Sequence, residues 1–144
     1  MHTTFNFDAM GVSHFGQSWS PDGDIKAVMA IVHGHGEHST RYKEMATFLN
    51  SHGVAVIAYD FYGHGKTGGK RGYAPSYEGI VDSVGELVAR AKAQFPDKPV
   101  FLYGHSMGGN FIANYVLRKK PDLKGVILSA PWLGLAFDPP KSDI

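Results

Sequence analysis

The sequence predicts an α/β fold, built on a mostly parallel and doubly wound sheet. From Ala27 onward, short apolar runs typical of strands alternate with longer segments of helical periodicity, and this alternation indicates parallel strands joined by right-handed crossovers. The runs are apolar at consecutive positions, as in strands that are buried on both faces. The 144 residues fit one compact domain with a substantial core.

The first two strands are predicted to form an antiparallel pair. Residues 3–7 and 14–20 have strand character and are separated by a turn near residues 9–11. Pro-Asp-Gly at residues 21–23 is a strong turn signal. It leads into the apolar run at residues 28–32, which we interpret as the first parallel strand.

The first two helices have clear end signals in the sequence. Ser39 or Thr40 is predicted to cap the first helix, which ends before Gly53. Ser76 is predicted to cap the second helix, which Pro96 ends. The apolar positions of this second helix share one face, which we assign to the core: Ile80, Val84, Leu87, Val88, Ala91 and Phe95.

The remaining elements complete the alternation. A strand at residues 54–59 separates the first two helices. A strand at residues 99–103 then runs into a helix from residue 107 to about 120, and the last clear strand is at residues 126–129. Residues 130–144 contain several prolines and show no regular period.

The most informative motif is a lone serine between two glycines, Gly-His-Ser-Met-Gly at residues 104–108. Ser106 stands where an apolar strand runs into a helix, which is the setting of a nucleophile elbow. Such a serine sits at a strained backbone position, so its neighbours must be small. The same glycines would also suit a plain tight turn, and a second motif is needed to decide.

The loop after the first parallel strand supplies that second motif. Its sequence is His-Gly-His-Gly-Glu-His-Ser, residues 33–39. A loop interrupted by glycines can direct its backbone N–H groups toward a developing oxyanion. Together with the first N–H of the helix after Ser106, this loop would provide two donors.

The same loop permits a different interpretation, a zinc metallohydrolase site. Imidazoles spaced like those of His33, His35 and His38 can converge on zinc. A complete site of that kind needs further ligands, and only three histidines remain downstream, one of them inside the serine motif. We therefore expect neither a metal nor another cofactor.

The segment at residues 60–67, Asp-Phe-Tyr-Gly-His-Gly-Lys-Thr, follows a predicted strand and has some features of a phosphate loop. Its end matches a Walker motif, but Asp60 stands where the first glycine should be. We expect Asp60 to fix the loop through hydrogen bonds instead. The basic cluster formed by Lys66, Lys70 and Arg71 is expected to lie on a solvated loop.

Composition excludes several classes of partner. The formal net charge is +1, so no strong field for nucleic acid or an anionic membrane is expected. The absence of cysteine excludes disulfides and thiolate metal sites. No secretory signal and no apolar run of bilayer length is recognisable. The sequence thus predicts a cytoplasmic protein without a transmembrane segment.

Taken together, the motifs resemble those of the monoacylglycerol lipase and lysophospholipase branch of the α/β-hydrolases, a group of serine aminopeptidase S33-type hydrolase domains. The matching stretches agree with the family in order and spacing between about residues 14 and 135; they are residues 33–39 followed by Arg41 and Tyr42, residues 60–65, residues 104–109 and residues 128–131. The implied fold is therefore of the α/β-hydrolase type.

The resemblance also implies a role for each site residue. Ser106 would be the nucleophile that attacks an ester carbonyl and forms an acyl-enzyme, which water then cleaves. The backbone N–H groups of His35 and Met107 would be the oxyanion donors. Support of the loops would come from His33, Gly34, Glu37 and His105. The implied substrate is a lipid ester with a single acyl chain.

The chain departs from the family pattern after the serine. In this fold the triad acid and histidine follow the nucleophile, yet no histidine occurs after Ser106. The last strands, the lid, and the triad acid and histidine are therefore expected to be missing from this chain. We expect an incomplete sheet, with residues 1–144 forming the amino-terminal portion of a single α/β-hydrolase domain: a fragment, a cleavage product or one subunit of a split enzyme.

A function of another class stays open. The chain would then be a non-catalytic half-domain that pairs with a complementary polypeptide. An early end of the sheet leaves the apolar strand at residues 126–129 as an edge, and such an edge invites pairing with another strand. Both hypotheses agree if the second polypeptide supplies the carboxy-terminal half of the enzyme.

Overall fold

A computed structural model describes residues 1–133 of the chain. Six strands, three α-helices and one 3-10 turn make up this part. In chain order they are β1 (His2–Ala9), β2 (Val12–Trp19), β3 (Ala27–Val32), the 3-10 turn (Ser39–Tyr42), α1 (Lys43–Ser51), β4 (Val54–Tyr59), α2 (Tyr77–Gln94), β5 (Val100–His105), α3 (Met107–Lys119) and β6 (Gly125–Ser129).

The six strands form one sheet in the order β1-β2-β4-β3-β5-β6. The four strands β4, β3, β5 and β6 are parallel to one another, whereas β1 pairs with β2 and β2 with β4 in antiparallel fashion. The predicted hairpin and the mostly parallel sheet are both confirmed. The hairpin turns at Met10 and Gly11, whose φ angles are 51° and 75°. Strand β5 continues to His105, two residues beyond the predicted end.

Helices cover both faces of the sheet. Val28, Ala30 and Val32 of β3 point into the larger core, which α2 and α3 cover. The alternate residue Ile31 points to the opposite face and packs in a second cluster with Ala46 of α1. Successive side chains of a strand alternate between faces, so a strand this apolar must be buried twice. The doubly wound arrangement predicted from the sequence is thus confirmed.

The helix starts match the sequence in one case and differ in the other. Ser76 caps α2, where its hydroxyl accepts a hydrogen bond from the Gly79 N–H at 3.1 Å. The predicted cap by Ser39 or Thr40 is wrong, because that segment begins with a 3-10 turn that has no side-chain cap. Both hydroxyls instead accept hydrogen bonds from Gln17 Nε2, at 2.6 and 2.9 Å. The buried amide of Gln17 on β2 needs these acceptors.

Strand β6 forms one edge of the sheet. Its side chains Val126, Ile127 and Leu128 are each 39–41% exposed. The expected apolar edge is therefore present. Within residues 1–133, no helix has the length and hydropathy needed to cross a bilayer.

Candidate active site

Three loops meet at the carboxyl ends of neighbouring parallel strands. The loop at residues 33–38 follows β3, residues 60–67 follow β4, and Ser106 follows β5. Val32 pairs with Tyr59 of β4 and with Gly104 of β5, which brings the three strand ends into register. Binding sites of open α/β sheets form at this edge. The structure thus gathers the sequence-predicted motifs in one place.

Ser106 has an unusual backbone conformation, with φ 55° and ψ −115°. A positive φ is uncommon for a residue with a side chain and carries strain of about 1–3 kcal/mol. Two hydrogen bonds hold it in place. The Ser106 N–H donates to the Ser129 carbonyl at 2.9 Å, and the Trp132 N–H donates to the Ser106 carbonyl at 2.9 Å. Ser129, at the end of β6, and Trp132, just beyond it, therefore hold the backbone of Ser106 in place.

Glycines allow the segments around Ser106 to pack in contact. A Cβ atom on Gly104 would lie 2.6 Å from the Gly108 carbonyl oxygen. A Cβ atom on Gly108 would overlap the backbone carbonyls of Val32 and His33. On Gly34 it would lie 3.3 Å from the Ser106 Cβ and 2.9 Å from a carboxylate oxygen of Glu37. The first turn of α3 is consequently pressed against the end of β3 and its loop.

His33 connects two of the loops through both ring nitrogens. The Phe61 N–H donates to His33 Nε2 at 3.2 Å, so the ring proton is on Nδ1, which donates to the Gly34 carbonyl at 2.7 Å. The ring also stacks on Phe61 at a centroid distance of 4.0 Å. Burial lowers the pKa of His33 to about 4. A neutral imidazole with both nitrogens engaged has no lone pair left for a metal.

Glu37 holds the same loop from the other side. One carboxylate oxygen accepts hydrogen bonds from the Gly34 N–H at 2.7 Å and from the Tyr42 hydroxyl at 3.3 Å. Burial, and then the charge of Glu37, raise the pKa of Tyr42, which keeps its hydroxyl a donor. The peptide between His33 and Gly34 is therefore fixed by the Glu37 side chain. Within residues 1–133, the N–H groups of His35 and Met107 donate to no protein acceptor.

Asp60 fixes the loop that follows β4, as the sequence predicted. Its carboxylate accepts hydrogen bonds from the Ser39 N–H at 2.6 Å and from the Lys66 N–H at 2.9 Å. The Arg71 guanidinium donates to the Gly65 carbonyl at 2.8 Å, and the Lys66 ammonium lies 4.8 Å from the centre of the Phe15 ring. The basic cluster thus makes contacts within the protein. This geometry favours the structural interpretation of the loop over a phosphate site.

The histidines of the site have different surroundings. His105 Nδ1 lies 3.1 Å from Ser129 Oγ, so this ring contacts β6 rather than the loop after β3. The His35 side chain is exposed, and its ring lies 5.1 Å from that of His64. Burial lowers the pKa of His64, whose Nε2 has no hydrogen-bond partner within residues 1–133. No group of three potential ligands is placed to hold a metal ion in that same range.

An apolar groove runs past the start of α3. A cavity of about 510 Å³ is lined by His35, His64, Met107, Trp132 and neighbouring residues. It shares Met107 and Trp132 with an adjoining cavity of about 460 Å³, which reaches Asn110. The two cavities therefore form one continuous groove beside the serine. Sequence reasoning missed its lining residues, because Trp132 lies in a segment without periodicity and Asn110 belongs to no recognised motif.

Comparisons with known proteins find a family model and curated relatives that match this sequence. A family model described as serine aminopeptidase, S33, matches residues 23–142. A monoacylglycerol lipase of Mycolicibacterium smegmatis is 35% identical over 113 residues, which are 78% of this chain and 40% of that protein. Phospholipase YtpA of Bacillus subtilis is 38% identical over 119 residues, which are 82% of this chain and 45% of that protein.

A solved structure gives the same result in three dimensions. The thermostable carboxyl esterase from Bacillus coagulans, in complex with glycerol, superimposes with a TM-score of 0.80 at 30% sequence identity. The match covers 88% of this chain and 43% of the esterase. The matched part of the chain thus spans less than half the length of each of these three proteins.

Proposed function

This chain belongs to the serine aminopeptidase S33 family, and from that premise we propose that it carries the nucleophile of a serine ester hydrolase. The substrates would be esters with a single acyl chain, such as monoacylglycerols and lysophospholipids. The proposal depends chiefly on one observation, the positive φ of Ser106 at the junction of β5 and α3. In a nucleophile elbow this strain holds the hydroxyl at the mouth of the sheet.

The proposed chemistry has two stages. Ser106 Oγ attacks the ester carbonyl, the alcohol leaves with a proton, and an acyl-enzyme forms; water then attacks the acyl group and releases the acid. The backbone N–H groups of His35 and Met107 would stabilise the oxyanion in both stages. Their lack of protein acceptors in the described part of the chain supports this role.

On this proposal the triad acid and histidine lie on polypeptide outside these 144 residues. In the family's chain order both follow the serine, and the sequence carries no histidine after His105. His33 is unsuited to be the base, because its two nitrogens already hold the loops together. We assign His33, Gly34 and Glu37 to support of the oxyanion loop, and His105 to contact with β6.

The groove supports an apolar acyl chain as the ligand. Its walls near the serine include Met107, Phe111 and Trp132. Burial of each methylene group contributes about 0.8 kcal/mol, so a longer acyl chain would be held more tightly than a short one. The printed names of the relatives, a monoacylglycerol lipase and a phospholipase, agree with lipid esters as the substrate class.

A covalent probe tests the proposal. The full-length protein, treated with an alkyl fluorophosphonate, is expected to gain one adduct that maps to Ser106. Ser106→Ala should remove the adduct, whereas Ser51→Ala, which alters an exposed serine at the end of α1, should keep it. Labelling that persists in Ser106→Ala would show that another residue is the nucleophile.

A second candidate function is pairing with a complementary polypeptide. The exposed apolar side chains of Val126, Ile127 and Leu128 on an edge strand favour it. The partner would add strands beside β6 and could supply the missing acid and histidine. Titration of the chain with the corresponding carboxy-terminal segment of a family member should give a one-to-one complex, and a failure to bind would exclude this candidate.

A further inference from the structure

The groove has a polar end that the proposed chemistry does not use. Tyr77, at the start of α2, and Asn110, in the first turn of α3, line it beside apolar residues. The Asn110 N–H donates to the Ser106 carbonyl at 3.2 Å. Residues four apart lie on one face of a helix, separated by one turn of about 5.4 Å. An amide side chain thus lies one helical turn from the serine.

Tyr77 determines which way this amide points. Its hydroxyl donates a hydrogen bond to Asn110 Oδ1. The Tyr77 ring is held in turn by Phe111, whose ring lies edge-on at 5.8 Å, and by the Arg118 guanidinium at 5.4 Å from the ring centre. With Oδ1 engaged, the two hydrogens of Asn110 Nδ2 point to the other side of the amide. Within residues 1–133 they donate to no protein acceptor.

We propose that Asn110 is a specificity-determining residue that selects esters whose acyl chain carries an oxygen acceptor a few carbons beyond the ester carbonyl. The inference rests on the proposed function, because it places the ester carbonyl at Ser106. A keto or hydroxyl oxygen at that position would accept a hydrogen bond from Asn110 Nδ2. A plain alkyl chain would cover the amide without pairing it, and an unpaired polar group disfavours such a ligand.

The test uses two ligands that differ in one oxygen. N-methylhexanamide and N-methyl-5-oxohexanamide are amides that an esterase does not readily cleave, so their binding is measured separately from turnover. Quenching of tryptophan fluorescence in the full-length protein reports binding, since Trp132 lines the groove. The 5-oxo compound is expected to bind about three- to tenfold more tightly, as one added hydrogen bond would give.

Matched variants locate the cause of that preference. Asn110→Leu keeps a side chain of similar size and should bind both amides equally. Tyr77→Phe releases the amide and should reduce the preference. Asn114→Leu changes the same residue type one turn further along α3, outside the groove residues, and should keep the preference. Equal binding by the wild type, or a preference that survives Asn110→Leu, would overturn the inference.

Failure of the inference about Asn110 can be told apart from failure of the proposed ester hydrolase function. Hydrolysis of p-nitrophenyl hexanoate and labelling of Ser106 report on the ester hydrolase. The ratio of the two amide affinities reports on Asn110 alone. A full-length protein that fails to turn over esters but shows the preference contradicts the first proposal and supports the selection of oxygenated ligands.

Discussion

Substituting Gly108 by alanine should destabilise the fold, although the residue lies in a helix. Alanine is normally favoured over glycine in a helix by about 1 kcal/mol. At Gly108, however, the added Cβ would overlap the carbonyl oxygens of Val32 and His33. Overpacking costs about 1–3 kcal/mol, and backbone carbonyls cannot rotate away as a side chain can. The upper end of that range applies, and the net loss in free energy of unfolding is about 2 kcal/mol.

The same substitution at Gly85 is a matched control with the opposite expected sign. Gly85 lies inside α2, and an added Cβ would be 3.4 Å from Tyr115 Cε1, an ordinary van der Waals contact. Gly85→Ala should therefore stabilise the protein by about 0.5–1 kcal/mol. The two variants would differ by about 3 kcal/mol, or by about 1–2 M in the midpoint of a urea titration.

The assay is urea unfolding of both variants, followed by far-ultraviolet circular dichroism. An unchanged slope shows that the midpoints report stability. A Gly108→Ala variant as stable as the wild type would refute the reasoning, because it would mean that α3 can move away from the end of β3. A loss of stability in Gly85→Ala would show that the contacts of the added Cβ do not determine the effect of glycine substitutions in these helices.

Three further outcomes are expected. Burial lowers the pKa of His33 to about 4, so at acidic pH the unfolded chain binds more protons than the folded protein. The free energy of unfolding should therefore fall by up to about 3 kcal/mol as the pH is lowered from about 6.5 to about 4. His33→Gln should flatten this part of the stability curve, as measured by urea titration. Asp60→Asn replaces one acceptor oxygen by a donor and should cost about 1–3 kcal/mol, with faster amide exchange at Ser39 or Lys66; unchanged exchange at both would contradict the assigned hydrogen bonds. Ile127→Lys puts a charge on the exposed edge strand and should weaken binding of the complementary carboxy-terminal segment in sedimentation velocity; equal binding by the wild type and the variant would show that the edge is not the contact.

Much of the fold was predictable because its signals are local. The strands are buried on both faces, so their apolar runs stand out, and glycine, proline and Ser76 mark the helix ends. The α/β-hydrolase type of fold that the resemblance implied is confirmed by the family match and by the superposition on the carboxyl esterase. The cap at Ser39 was mispredicted because its hydroxyl is used by Gln17, a residue distant in sequence.

The candidate site was predictable only in part, for a similar reason. Ser106 and the loop at residues 33–38 have motifs whose glycines are required by close packing. The Tyr77–Asn110 pair and Trp132 have no such local signal, since three separate elements bring them together. The roles of Ser106, His35 and Met107, the second polypeptide and the cytoplasmic location stay predictions.

The hydrogen bond from the Ser106 N–H to the Ser129 carbonyl links reactivity to assembly. Ser129 ends β6, an edge strand that opens more readily than the strands at the centre of the sheet. A polypeptide that docks on the free side of β6 would suppress this opening by mass action. The backbone of Ser106 would be steadied at the same time, without any contact between the partner and the serine. Amide exchange at Ser106 should accordingly slow when the edge is covered, so the serine would report whether the sheet has been completed.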